Sequence, residues 1–185
     1  MKIAVLALQG AFAEHEKKLS ELGLSYLELR EKTDVQKSFD ALILPGGEST
    51  VQGKLLRELE MFDPLRERIL SGTKVLATCA GMILLAEKLE NDTRLHFATM
   101  PITVKRNAYG RQLGSFYAEE NFADIGKIPM TFIRAPYIEK TSPKVKILSQ
   151  VDKKIVAVRY KNQLALSFHP ELNDELKIYE WWLKM

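Results

Sequence analysis

The sequence is short of cysteine and of charge asymmetry, and each shortage excludes something. Of 185 residues only one is cysteine, Cys79. A lone cysteine cannot close an internal disulfide, and it leaves too few thiolates for a structural zinc cluster, so a reducing, cytoplasmic setting is expected. The net charge is only +3 and is spread along the chain. No basic stripe with interleaved aromatics is present, which argues against a nucleic-acid partner. No apolar run approaches the ~18 residues of a membrane span. The opening "MKIAVLALQGAFAEH" has a brief apolar stretch that runs into a charged helical pattern, so it reads as a first strand and not as a secretory signal. There are three histidines, which makes any search for a catalytic base short.

What remains is the pattern of a globular enzyme-sized domain, taken as one unit over 1–185. The first half alternates strand and helix. Strands are expected at 2–8, 24–29, 40–44 and 74–78, with helices at 11–22, 51–60, 63–70 and 82–89. Short strand candidates then follow at 102–105, 113–118, 130–134, 145–150, 154–160 and 163–168, and a last helix at 174–184. This order predicts an α/β fold of three layers: a mixed, mostly parallel central sheet flanked by helices, with antiparallel additions.

In such a sheet the ligand site lies beyond the carboxyl ends of the strands. Four unusual groups fall there. Gln9-Gly10 follows the first strand, Gly46-Gly47-Glu48 the third, Cys79 the fourth, and His169 the late strand "NQLALSF". Cys79 stands in "TCAGM", on a strand-to-helix turn between small residues. A free thiol has a pKa of ~8.5 and needs a base or a stabilising field to act as a nucleophile. The start of a helix supplies part of that field. The bland alternative for any lone cysteine is a small buried hydrophobe.

Among the histidines, His15 shares one face of the first helix with Phe12, Leu19 and Leu22, but its glutamate neighbours favour a solvated or half-packed ring. His96, in "TRLHFATMP", has no evident carboxylate partner and reads as packing or surface. His169 differs: Pro170 halts the strand and Glu171 follows, so in an extended segment imidazole and carboxylate share a face. Cys79, His169 and Glu171 would then be nucleophile, base and orienter. The glycines of "LPGGEST" would let backbone N–H groups face an oxyanion, and Ala80 N–H is a second candidate donor. Ser49 or Thr50 would cap the following helix.

Three motifs in this order, "PGGEST", "TCAGM" and "SFHPE", resemble the class I, triad-type glutamine amidotransferases, whose fold is flavodoxin-like. Adding "LALQGAFAEH", "RNAYGRQ", "FIRAP" and "VAVRYKNQLALSFHPEL", the sequence is similar from about residue 3 to 172 to the glutaminase subunits of pyridoxal 5′-phosphate synthases. The resemblance implies hydrolysis of L-glutamine through a glutamyl-thioester, with no metal or organic cofactor. It implies Cys79, His169 and Glu171 as catalytic residues. Gly46, Gly47, Glu48, Ala80, Arg106, Ile133 and Arg134 would form the glutamine pocket. The arginines suit an α-carboxylate. It also implies a synthase subunit as partner in a hetero-oligomeric complex, consuming the ammonia, with Gln9 a candidate for coupling docking to the oxyanion turn. Val51, Gln52 and Gly53 depart from the family pattern, a change expected to touch the start of the helix and not the pocket. The competing readings are a glutaminase for another synthase, a cysteine peptidase or deglycase on a related fold, and a non-catalytic regulatory subunit.

Overall fold

A computed structural model of the chain describes residues 1–90, 92–106 and 114–185. The first half runs β1 (Lys2–Leu6), α1 (Phe12–Glu21), β2 (Ser25–Leu29), α2 (Lys32–Val35), β3 (Ala41–Leu44), α3 (Ser49–Glu58), α4 (Phe62–Leu70), β4 (Lys74–Thr78) and α5 (Ala80–Leu85). The second half runs β5 (Ala86–Leu89), β6 (Met100–Lys105), β7 (Ser115–Asn121), β8 (Lys127–Ile133), β9 (Tyr137–Thr141), β10 (Lys146–Val151), β11 (Lys154–Tyr160), β12 (Gln163–Leu166), a 3-10 turn (Pro170–Leu172) and α6 (Lys177–Lys184).

Among the described residues the main sheet has the order β2-β1-β3-β4-β12-β11-β9-β6-β5, with β10 paired to β11. The five strands from β2 to β12 are mutually parallel. From β12 outward the pairing turns antiparallel through β11, β9 and β6, and β5 closes the edge parallel to β6. The mixed, mostly parallel sheet expected from the alternation is therefore present, including its antiparallel additions.

Period-2 alternation sorts the strand side chains into two cores. Ala4, Leu6, Leu42, Leu44, Val75 and Ala77 pack on one face with Leu56, Leu65, Ile69 and Met82 of α3, α4 and α5. Ile3, Val5, Ile43 and Leu76 pack on the other with Leu19 of α1 and Ile178, Tyr179 and Trp182 of α6. The separate β7–β8 hairpin covers the second face through Ile128, Met130 and Phe132. Each fully buried large side chain contributes roughly 1.5–3 kcal/mol of transfer free energy.

Two expectations need correction. The helix read over 82–89 spans Ala80–Leu85 instead, and Ala86–Leu89 is a strand. The apolar run "MILLA" carries either period; what decides is the ladder that Ala86, Lys88 and Leu89 form with β6, with Glu87 and Lys88 exposed. The last helix begins at Lys177, three residues later than read; a 3-10 turn at 170–172 and irregular residues 173–176 precede it. Strand β9 and the short α2 lack a strong period and are not legible in the sequence. Of the strand read over 113–118, residue 113 lies outside the described residues.

Candidate active site

Parallel register builds the site. Thr78 pairs with Leu166, so β4 and β12 end side by side. The chain runs one residue past Thr78 to Cys79 and three past Leu166 to His169. Cys79 N–H donates to Leu166 C=O at 2.8 Å, which fastens the turn to β12. Cys79 itself has φ 48° and ψ −101°, a backbone conformation that L-residues rarely adopt. Such strain, of order 1–3 kcal/mol, persists only when the surroundings over-determine it. Here Gly81 permits it: a Cβ at that position would stand 2.1 Å from Leu44 C=O, so only glycine lets α5 start against the end of β3. The sharp strand–thiol–helix geometry is the same device as the nucleophile elbow, with sulfur in place of serine oxygen.

His169 is fixed from several sides. Its backbone N–H donates to Thr131 C=O of β8 at 2.8 Å, and Asn173 Nδ2 donates to its carbonyl at 3.2 Å. The preceding Phe168 packs edge-on against Phe132 of the hairpin. The ring Nδ1 bonds Glu171 Oε1 at 2.6 Å, and the Cys79 side chain interacts electrostatically with the ring. The segment is not extended as the sequence reading assumed. Glu171 sits in the 3-10 turn, and that turn folds the carboxylate back onto the ring.

The electrostatics follow from this placement. Burial pushes the His169 imidazole down, but the hydrogen bonds and negative charges of Cys79 and Glu171 outweigh it and raise its pKa to about 10. Burial also opposes ionisation of Glu171. The neighbouring His15 ring and the bond and charge of His169 overcome that and hold the carboxyl below its ordinary range. His169 is therefore held protonated with an ionised carboxylate behind it.

A cavity of about 270 Å³ opens in front of the thiol. Gln9, Gly46, Gly47, Glu48, Cys79, Arg106, Ile133, Arg134 and His169 all line it, whereas Ala80 and Glu171 are buried behind it. Gly46 is glycine for space: a Cβ there would lie 2.4 Å from His169 Cε1. The Gly46 carbonyl accepts from Ala11 N–H at 3.0 Å, and Gln9 Oε1 accepts from Glu48 N–H at 2.8 Å. The loop after β1 thus holds the loop after β3 at both ends of the Gly46-Gly47 turn.

Arg106 reaches the cavity but is also engaged, with Nη1 on Asp92 Oδ2 at 3.0 Å and Nη2 on Thr50 Oγ1 at 3.2 Å. Arg134 is exposed at the rim with φ 42°, its N–H donating to Gly114 C=O. Of "RNAYGRQ", residues 107–112 lie outside the described residues.

Several participants escaped the sequence reading. Ser49 does not cap α3 through its side chain; Glu48 holds the N-cap position. Ser49 lines the cavity, and its buried Oγ has no protein partner. Gln52 does more than begin a helix. Its Nε2 donates to Gln9 C=O at 2.9 Å and to Pro45 C=O at 3.2 Å, directly beneath the glycine turn. Gly53 makes room for His96, whose Nδ1 would be 2.1 Å from a Cβ there. His15 is fully buried, against the solvated or half-packed expectation. The signal was available: it occupies the apolar face of α1 with Phe12 and Leu19.

Comparisons with known proteins point one way. A model of the SNO glutamine amidotransferase family matches residues 5–185. A Desulfitobacterium hafniense protein named pyridoxal 5′-phosphate synthase subunit PdxT is 64% identical over 183 residues, covering 99% of this chain and 92% of the relative. A Streptococcus pneumoniae protein of the same name is 53% identical over 188 residues, covering 100% and 97%. A solved structure described as a glutamine amidotransferase superposes with a TM-score of 0.93 at 38% identity, covering 98% of this chain and 97% of that one.

Proposed function

The chain belongs to the SNO glutamine amidotransferase family, and from that premise we infer that it is the glutaminase subunit of a pyridoxal 5′-phosphate synthase, serving vitamin B6 synthesis. We propose that Cys79, His169 and Glu171 carry out the hydrolysis of L-glutamine. The observation that carries this assignment is the meeting of thiol and imidazole at adjacent strand ends, with Glu171 2.6 Å behind the ring.

In the proposed reaction the Cys79 sulfur, its proton held by His169, attacks the side-chain carboxamide carbon of glutamine. The carbonyl electron pair moves to oxygen and is stabilised by backbone N–H groups of Gly47 and Ala80. As the tetrahedral adduct collapses, the C–N bond breaks and His169 gives its proton to the departing nitrogen. Ammonia leaves and a glutamyl-thioester remains. Water then attacks the thioester carbon, His169 takes one of its protons, and glutamate departs as the thiol is regenerated. Water and glutamine become glutamate and ammonia, with no other reactant. Gly46, Gly47 and Glu48 would line the pocket. Arg106, Ile133 and Arg134 would complete it, the guanidinium groups facing the substrate α-carboxylate.

Ammonia released at neutral pH is quickly protonated and lost as a nucleophile, so the synthase subunit is the natural consumer and docks as a partner. Gln9 is the proposed relay. It holds the Glu48 amide, and through Ala11 its loop holds the Gly46 carbonyl, so a partner that displaces this loop reorients the oxyanion turn.

The test is glutamate release from L-glutamine by the subunit with and without its synthase, alongside Cys79→Ala. The variant is expected to bind glutamine and synthase and to release no ammonia. Turnover by Cys79→Ala would remove the nucleophile assignment, and equal activity with and without the synthase would remove the coupling role of Gln9.

A further inference from the structure

We propose that His15 and Tyr179 are positioning residues for the reaction. His15 turns a ring N–H edge toward the second oxygen of Glu171, and Tyr179 fixes the tautomer that puts the proton there. The proposal rests on the reading of Cys79, His169 and Glu171 as the triad and extends it by two members that do not line the cavity.

The geometry is a buried relay. Glu171 has one oxygen, Oε1, committed to His169 at 2.6 Å. Its other oxygen, Oε2, is buried and has no hydrogen-bond donor. His15 Nε2 lies 3.6 Å from it, on a ring that is fully buried. His15 Nε2 bonds Thr78 Oγ1 at 3.2 Å, and His15 Nδ1 bonds the Tyr179 hydroxyl at 2.7 Å. Tyr179 is also fully buried. At 3.6 Å the contact to Glu171 is an electrostatic one, weaker than a bond.

Charge fixes the tautomer. Burial keeps His15 neutral, outweighing the pull of Glu171. Burial and the charge of Glu171 keep the Tyr179 phenol protonated. A neutral ring carries one proton, on Nδ1 or on Nε2. Were it on Nδ1, the Nε2 lone pair would face a buried carboxylate, which is repulsive. With Tyr179 donating to Nδ1, the proton sits on Nε2, where it bonds Thr78 and presents positive partial charge to Oε2. Glu171 is thereby held ionised and in one rotamer, and His169 inherits its orientation. Two helices on the far face of the sheet, α1 and α6, thus set the aim of the base.

The charged and titratable groups facing Glu171 are His169 from its own turn, His15 from α1 and Tyr179 from α6, with Glu14 acting on His15 and Glu21 on Tyr179. Losing the His15 N–H removes the group placed 3.6 Å from Oε2, so Glu171 protonates at higher pH.

The experiment measures glutamine hydrolysis by the subunit–synthase complex across pH for His15→Leu, His15→Gln, His15→Asn and Tyr179→Phe, with melting temperature for each. Glutamine places an amide N–H where Nε2 stood; asparagine places one only near Nδ1. Expected is a kcat loss on the order of 10-fold or more in His15→Leu and His15→Asn, by analogy with other orienting groups. Their KM should be unchanged and their acidic limb moved to higher pH, with both quantities restored in His15→Gln. Tyr179→Phe should show the same pattern more weakly. Equal losses in His15→Gln and His15→Asn, or a wild-type acidic limb in both, would overturn the proposal. If His15→Leu does not fold, the glutamine–asparagine pair decides alone. An inactive wild-type complex, or an active Cys79→Ala, would instead overturn the triad reading beneath it.

Discussion

Replacing Gly46 by alanine is expected to disable the proposed base, His169, without unfolding the protein. Gly46 is buried, and its φ lies outside the left-handed region, so the alanine backbone is tolerated there. The added methyl is another matter. It would stand 2.4 Å from His169 Cε1, 3.0 Å from Nδ1 and 3.4 Å from Nε2. Carbon–carbon contacts settle near 3.5–4.0 Å, so the ring must retreat by roughly 1 Å. It has little room to do so. His169 is 6% exposed, its Nδ1 is tied to Glu171 at 2.6 Å, and the ring faces the same cavity as Cys79. A displacement of about 1 Å from reacting geometry costs on the order of 100-fold in rate. Overpacking of this kind destabilises by about 1–3 kcal/mol, which leaves a folded domain. The assay is glutamate release by the Gly46→Ala subunit with its synthase, with a melting curve in parallel. Wild-type kcat in a folded Gly46→Ala subunit would refute the reasoning, because it would mean the ring is neither confined nor needed where it stands.

Two further outcomes are expected. Gln52→Leu keeps the volume but strips the carbonyls of Gln9 and Pro45 of their donor; stability should fall by about 1–3 kcal/mol, read by urea denaturation, and kcat should fall with it as the glycine turn loosens. Unchanged values for both would show that Ala11 and Gln9 hold the turn unaided. His96 is lowered to about 4, first by burial and then by Arg57, Arg106 and Arg94. Because its folded pKa lies below the unfolded value, its contribution is present above pH 6.5 and is lost as pH falls toward 4. The limit is about 3 kcal/mol, reduced by solvent screening of a partly exposed ring. His15 titrates in the same direction, so the measurement is the difference between wild type and His96→Gln in denaturation across that range. Parallel curves would show that His96 is protonated equally in both states.

Much of the candidate site was legible because its residues sit at strand ends, where sequence punctuation is loud. Pro45 and the glycines stop β3, Cys79 and Gly81 stop β4, and Pro170 stops the chain after β12. Each is a break in an apolar run, and each break marks the rim of the sheet. What was not legible depends on partners supplied by tertiary packing. His15 reads as a helix residue among glutamates, yet its surroundings come from Thr78, 63 residues away, and Tyr179, 164 residues away. The roles of Gln52 and Gly53 likewise appear only once the loops at 9–11 and 92–98 lie against α3. The edge strand Ala86–Leu89 reads as helix for a similar reason, since its pairing with β6 and not its own period makes it a strand.

The same logic says how the site is protected. The thiol and the imidazole share no loop and no helix; they meet because Thr78 stands opposite Leu166 in a parallel ladder. A two-residue slip of β12 against β4 would keep every side chain on its face but carry His169 about 6.6 Å along the strand direction, far outside bonding reach of Cys79. A one-residue slip would turn Leu164 and Leu166 into the opposite core and Ala165 out of its own. Those side chains belong to opposite cores, Ala165 with Leu42 and Val75, Leu164 and Leu166 with Ile43 and Leu76. The hydrophobic pattern forbids the odd slips, and the Cys79 N–H bond to Leu166, with the His169 N–H bond to Thr131, opposes the even ones. The packing of the sheet and the placement of His169 against Cys79 are therefore one constraint, enforced where β4, β8 and β12 meet.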